Sequence, residues 1–131
     1  MIFIDSNIPM YLIGADHPNK RLAIKLVEGM ALRRERLVTD TEVYQEILHR
    51  YAAIARLDAI QPAFDVLSAL VEEIFPVELT HVSRAKEILL GTRRISARDA
   101  LHASIMEHHE VDSILTFDSG FDHLKQVTRI H

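Results

Sequence analysis

The chain has no cysteine. That excludes a zinc site built on thiolates and any disulfide framework, and it leaves the redox compartment unreadable. No apolar run approaches the roughly 18 residues a membrane helix needs. The opening Met1-Ile2-Phe3-Ile4-Asp5 has no basic stretch and reaches an acid at once, unlike a secretory signal. The expectation is a cytoplasmic protein with no membrane attachment. Internal repeats, low-complexity segments and Gly/Ser linkers are also absent. Glycine and proline number only four each, so each breaker is informative where it falls.

What is present is one domain's worth of chain. The 131 residues suit a single domain spanning 1–131. A chain of that size buries about two-thirds of its unfolded surface and needs no covalent or metal staple. The formal net charge of −4 argues against a protein that coats nucleic acid through bulk positive charge. A nuclease remains compatible with it. Such an enzyme carries its cation as bound metal, and a carboxylate cluster makes the metal-free count more negative.

Hydrophobic periodicity divides the chain into short strands and longer helices. Ile2-Phe3-Ile4 is a buried strand ending in Asp5. Helical patterns follow over Ile8–Ile13, closed by Gly14, and over Arg21–Leu32. Leu37-Val38-Thr39 is a second strand, and Asp40 opens a helix through Val43, Ile47, Leu48, Tyr51 and Ala52. A further helix is expected over Ala63–Ile74, then a weak strand at Pro76–Leu79, then a helix over Thr80–Leu90 ended by Gly91. Ser96 opens a helix to about His109. Ile114–Phe117 is a fourth strand ending at Asp118, and Val127–Ile130 is the last. Short strands alternating with helices imply βαβ units and a parallel sheet covered on both faces. Ligands in such sheets sit at the carboxyl ends of strands, near the switch point of the topology.

Four acids stand at the corresponding boundaries. Asp5 ends the first strand, Asp118 ends the fourth, Glu46 lies on the helix after the second, and Asp99 lies in the first turn after Ser96. Carboxylates converging from separate elements are what one or two Mg²⁺ or Mn²⁺ ions need in order to activate water and neutralise a phosphodiester. Each acid also has a plain structural reading. Asp5 can cap a helix. Asp99 follows Ser96 as in a capping box and reads equally as cap or ligand. Asp118 can open a turn with Ser119-Gly120. Glu46 can lie on a solvated edge. Thr39 and Glu42 repeat the capping-box spacing, which marks Glu42 as a cap partner.

The segments around these acids are similar to those of a known family. Ile2-Phe3-Ile4-Asp5-Ser6-Asn7 resembles the opening strand of PIN domains. Val43-Tyr44-Gln45-Glu46-Ile47-Leu48 resembles their second motif, and Asp99-Ala100-Leu101-His102-Ala103-Ser104 their third, the most specific of the set. Leu115-Thr116-Phe117-Asp118-Ser119-Gly120-Phe121 resembles the fourth. Order and spacing agree over nearly the whole chain, most closely with VapC-type toxins of toxin–antitoxin pairs. Ser6 stands where threonine is commoner, and it keeps the hydroxyl. The resemblance implies a three-layer α/β/α sandwich around a five-stranded parallel sheet of order 3-2-1-4-5. It also implies Mg²⁺- or Mn²⁺-dependent endoribonuclease activity, homodimerisation and inhibition by a small antitoxin protein. Asp5 and Asp99 would be the principal metal ligands and Glu46 and Asp118 would complete the cradle. Ser6, Asn7 and Thr116 would support them.

Other residues have competing readings. Arg93, Arg94 and Arg98 precede Asp99 and offer RNA-binding cations beside a solvated-loop reading. His102 reads as a packed or partly exposed structural histidine, with contact to substrate or orientation of an acid as the alternative. The adjacent pair His108-His109 makes a poor metal pair. Tyr44 and Tyr51 read as core more readily than as base-stacking residues. Tyr11 and Leu12, with Leu22, Leu26 and Met30, fit either core or a partner surface. Asp122 reads as a turn-surface acid. A dehalogenase-type phosphatase lacks its second acid, because the run is Asp5-Ser6-Asn7. A phosphoacceptor receiver lacks its acid pair and lysine. A non-catalytic PIN scaffold that binds RNA or protein is the remaining alternative.

Overall fold

The structure is a computed structural model and describes residues 1–131. The elements in chain order are β1 (Ile2–Ile4), α1 (Asn7–Ile13), α2 (Pro18–Leu32), β2 (Leu37–Asp40), α3 (Thr41–Ala53) and α4 (Ile60–Leu70). They continue with β3 (Glu73–Phe75), α5 (Leu79–Gly91), α6 (Ala97–His108), β4 (Ser113–Leu115) and β5 (Thr128–Ile130). All neighbouring strands pair in parallel, in the order β3-β2-β1-β4-β5. This is the expected sheet.

β1 is central, and all three of its residues are buried, as a strand covered on both faces requires. From β1 the chain winds outward through β2 to β3, then returns across the sheet to β4 and β5. Right-handed crossovers in opposite directions place α1 to α4 on one face and α5 with α6 on the other. The packing agrees: α1 touches α2 and α4, α3 touches α4, and α5 lies along α6. Phe3, Ile4, Ile114 and Leu115 fill the sheet's interior. Met30, Ile47 and Leu67 pack from the first set of helices, and Ile105 and Met106 from the second. The winding reverses between β1 and β4, so a crevice opens beyond the carboxyl ends of these two strands.

The third strand lies earlier than its sequence pattern suggests. Glu73–Phe75 pairs with β2, whereas Pro76–Leu79 leaves the sheet and leads into α5. Pro76 has no N–H for a ladder and marks the strand's end. β3 is an edge strand with Glu73 and Ile74 exposed, so it lacks the apolar signature of an interior one. The preceding helix correspondingly spans Ile60–Leu70, not Ala63–Ile74. The fourth strand ends at Leu115, although the Thr116 amide still donates to the Ile130 carbonyl at 3.3 Å before the chain turns away. α2 begins three residues ahead of its apolar stripe, at Pro18. His17 caps it by accepting from the Asn19 amide, and proline suits the first helical position.

Candidate active site

Asp5 extends β1 by one residue into the crevice and is 4% exposed. The surrounding chain holds its carboxylate on both sides. Oδ1 accepts the Ser6 amide at 2.7 Å, and Oδ2 accepts the Thr116 hydroxyl at 2.6 Å and the Asn7 side-chain amide at 3.5 Å. Thr116 follows β4, the strand beside β1. Its oxygen also accepts from the Asn7 side chain at 2.9 Å and from the Asp118 amide at 3.0 Å. Asn7 in turn accepts the Phe117 amide at 3.3 Å. Ser6, Asn7 and Thr116 thus clamp the ends of β1 and β4 together around Asp5.

Glu46 projects from α3 and is held from two directions. Ser6 Oγ donates to Oε2 at 2.8 Å, and His102 Nε2 lies 2.5 Å from Oε1. The other ring nitrogen of His102 lies 2.7 Å from Asp40 Oδ2. Asp40 Oδ1 meanwhile accepts the Val43 amide at 2.9 Å and caps α3. A buried chain Asp40–His102–Glu46 therefore ties β2, α6 and α3 together. His102 is the packed histidine expected, and it also orients an acid. Asp40 is a functional-site neighbour that sequence reading treated only as a cap. The expected box between Thr39 and Glu42 does not form: Thr39 donates to the Ile4 carbonyl, and the cap belongs to Asp40.

Asp99 sits in the first turn of α6. Ser96 Oγ accepts the Asp99 amide at 3.1 Å, which is half of a capping box. The Asp99 carboxylate does not return the bond and turns toward the crevice. The exposed Asp118 opens the turn foreseen for it, with Oδ1 accepting the Gly120 amide at 2.8 Å. A Cβ placed on Gly120 would stand 3.0 Å from Asp99 Oδ2 and 3.1 Å from Asp118 Oδ1. Glycine here lets the turn lie against both carboxylates.

The structure thus brings all four sequence-predicted acids to one place, and their charges feel one another. Burial, with repulsion from Asp118 and Asp5, pushes Asp99 up to about 7. Burial also raises Asp5, and Glu46 adds to the rise. Glu46 goes the other way: burial would raise it, but the hydrogen bond and charge of His102 bring it below its ordinary value. For His102, burial favours the neutral ring, yet Asp40 and Glu46 outweigh it and hold the imidazolium. An uncompensated cluster of oxygen donors is the ligand set a hard divalent cation prefers. The residues fit such an ion. Asp5, Glu46 and His102 also offer donor atoms within 4.8 Å of one another. Both His102 nitrogens are engaged by carboxylates, however, so the ring supports a ligand and is not one itself.

A second grouping, His81 with His108 and His109, has similar spacing. It fits a metal poorly. His81 Nδ1 accepts the Glu78 amide, so its proton is on Nε2, which points at His108 Nδ1 2.8 Å away. A metal-bound histidine donates from its second nitrogen, whereas this one accepts.

The crevice has a volume of about 970 Å³, and Asp5, Glu46, Asp99 and Asp118 all line it. Arg94 and Arg98 border it, as the sequence suggested. Arg93 does not, and Arg50 and Arg56 do. Arg50 is four residues beyond Glu46 on α3, a helical spacing that would have revealed it. Tyr51 is buried at the edge of the crevice, and the half-buried Tyr44 packs on Phe64 and bonds Ser68 outside it. Asp122 forms a two-pronged pair with Arg129, away from the cluster.

Comparison with known proteins agrees with this geometry. Residues 2–127 match the PIN domain. Ribonuclease VapC13 of Mycobacterium tuberculosis is 52% identical over 130 residues, covering 99% of each chain. Among solved structures, M. tuberculosis VapC20, described as a sarcin-ricin loop cleaving toxin, superposes with a TM-score of 0.80 at 22% identity over 95% of both chains. VapBC2 from Rickettsia felis, bound to a DNA fragment from its promoter, gives 0.72 at 16% identity, covering 99% of this chain and 98% of that one. With four acids gathered at the switch point of a 3-2-1-4-5 sheet and a family match along nearly its whole length, the chain belongs to the PIN-domain family and stands among its VapC members.

Proposed function

We propose that this protein is a divalent-metal-dependent endoribonuclease, the toxin of a toxin–antitoxin pair, with its site formed by Asp5, Glu46, Asp99 and Asp118. The observation that carries this reading is the convergence of those four acids in one crevice, where burial, with Asp118 and Asp5, holds Asp99 up to about 7. The ribonuclease name of a relative 52% identical over its full length supports it.

In this reading Asp5 and Asp99 hold Mg²⁺ or Mn²⁺, and Glu46 and Asp118 complete the cradle. The ion supplies activation of water and charge neutralisation at the scissile phosphate. Thr116 and Asn7 keep both oxygens of Asp5 directed, and Ser6 with His102 does the same for Glu46. Asp118 is the exposed acid, with Oδ2 free of protein hydrogen bonds, and we assign it the role of accepting a proton from incoming water. Arg94 and Arg98 receive the flanking phosphates. A cytoplasmic location belongs to the same proposal, and no helix is long and apolar enough to cross a membrane. A small antitoxin and a second copy of the chain are the partners that go with this reading.

The test is cleavage of a structured RNA pool by partner-free protein with Mg²⁺ or Mn²⁺, with EDTA, and beside Asp5→Asn. Metal-dependent cutting that vanishes in the variant is expected. A folded protein that binds RNA but cuts nothing with either metal would instead point to a binding scaffold.

A further inference from the structure

The crevice beside the acid cluster is lined by two chemically different sets of side chains. One is cationic: Arg50, Arg94 and Arg98 line the crevice, and none of the three forms an ion pair within the protein. The other is aromatic. Tyr11 and Phe117 line the crevice edge to face with centroids 5.2 Å apart, and His17 tilts against Tyr11, also at 5.2 Å. Both Tyr11 and Phe117 are half-buried, with surface left toward the crevice.

Both sets are tied to the acids by short segments. Phe117 immediately precedes Asp118, and its amide is held by Asn7. Tyr11 stands four residues beyond Asn7 on α1, hence on the same helical face. Arg98 adjoins Asp99, and Arg50 is one turn beyond Glu46. A phosphate at the acids therefore has both guanidinium groups and aromatic rings lining the same crevice. Nucleobases stack on such rings whatever their identity, and only when they are out of a duplex.

Resting on the nuclease reading, we infer that Tyr11 and Phe117 form a stacking platform for an unpaired base next to the scissile phosphate, while Arg50, Arg94 and Arg98 track the backbone. The rings select for an unpaired base and the arginines bind irrespective of it.

Binding separates these roles without relying on turnover. The probes are a uridine 10-mer RNA and a matching 10-mer in which the central nucleotides are abasic, with Ca²⁺ replacing Mg²⁺ so that affinity is read without cleavage. The wild-type protein binds the intact strand more tightly, by roughly 5- to 150-fold for each base stacked. Tyr11→Leu and Phe117→Leu lose that preference by weakening the intact strand while leaving the abasic strand unchanged, and Tyr11→Phe keeps it. Arg98→Gln weakens both strands by the same factor. Equal affinity of the wild type for the two strands would overturn the platform and leave the nuclease reading standing. So would leucine variants that bind both strands as the wild type does, in which case the rings face a protein segment. Failure of folded wild type to bind either strand, together with absence of cleavage, would remove the nuclease reading itself.

Discussion

His102 Nδ1 lies 2.7 Å from Asp40 Oδ2, and neither side chain has any exposed surface. With Glu46 on the ring's other nitrogen, an imidazolium stands between two carboxylates inside the protein. Removing the ring leaves both acids buried and facing each other. His102→Ala should therefore destabilise the fold by about 3–5 kcal/mol, the cost of breaking a buried pair from one side. Urea unfolding measures this, and His102→Gln, which keeps a donor, should lose less. An unchanged midpoint for the alanine variant would show that the ring holds nothing in place.

Gly120 offers a change that disturbs the acids and spares the fold. An alanine methyl there would press on Asp99 Oδ2 and Asp118 Oδ1, both at the ends of side chains that can give way. Gly120→Ala should melt within a few degrees of the wild type while binding Mn²⁺ about tenfold or more weakly, as misplaced ligands do. Titration of Mn²⁺ by electron paramagnetic resonance reads the affinity directly, and affinity equal to wild type would place the ion elsewhere.

The raised Asp99 makes stability depend on pH when no metal is bound. Unfolded, the group titrates at its ordinary 3.8; folded, at about 7. Between these values the folded chain holds a proton that the unfolded chain has released, so stability falls as pH rises. Above the upper value both states are ionised and the loss is complete. Thermal melts in EDTA from about pH 5 to about pH 8 should show a decline that Asp99→Asn lessens and that Mg²⁺ reduces, with Asp5 and His102, which are also raised, supplying the remainder. A slope identical in wild type and variant would mean that Asp99 is not strained by its neighbours.

Thr116 serves Asp5, Asn7 and Asp118 through one hydroxyl. Thr116→Val keeps the shape and deletes all three bonds. The expected cost is about 1–3 kcal/mol, from buried polar groups left unpaired. RNA cleavage should fall more steeply than stability, because Asp5 loses its direction. Cleavage at the wild-type rate would reduce Thr116 to a packing role.

Much of this site was visible in the residues alone, because an apolar strand that ends in an acid marks the open edge of a parallel sheet. Asp5 and Asp118 were found in that way. The same rule applies to Leu37-Val38-Thr39-Asp40 and would have placed Asp40 beside them. Its fitness as a helix cap concealed the second use of its carboxylate. Glu46 and Asp99 were named from their element boundaries and from the motifs around them, since helical spacing alone shows which face an acid occupies and not what lies opposite. His102 likewise looked like any packed histidine, for its partners are 62 and 56 residues away. The third strand was misplaced because an edge strand with exposed Glu73 and Ile74 carries almost no pattern to read.

The clamp between Asp5 and Thr116 spans 111 residues of sequence. β1 is made first, yet its central place in the sheet is completed only when β4 docks beside it. A nascent chain on the ribosome therefore carries Asp5 long before it carries a formed site. Until Asp118 has emerged and the two strands have paired, the acids remain scattered and harmless. Such long-range closure belongs to the slow part of folding. For a protein proposed to attack RNA, this topology withholds the assembled site until nearly the whole chain has been made.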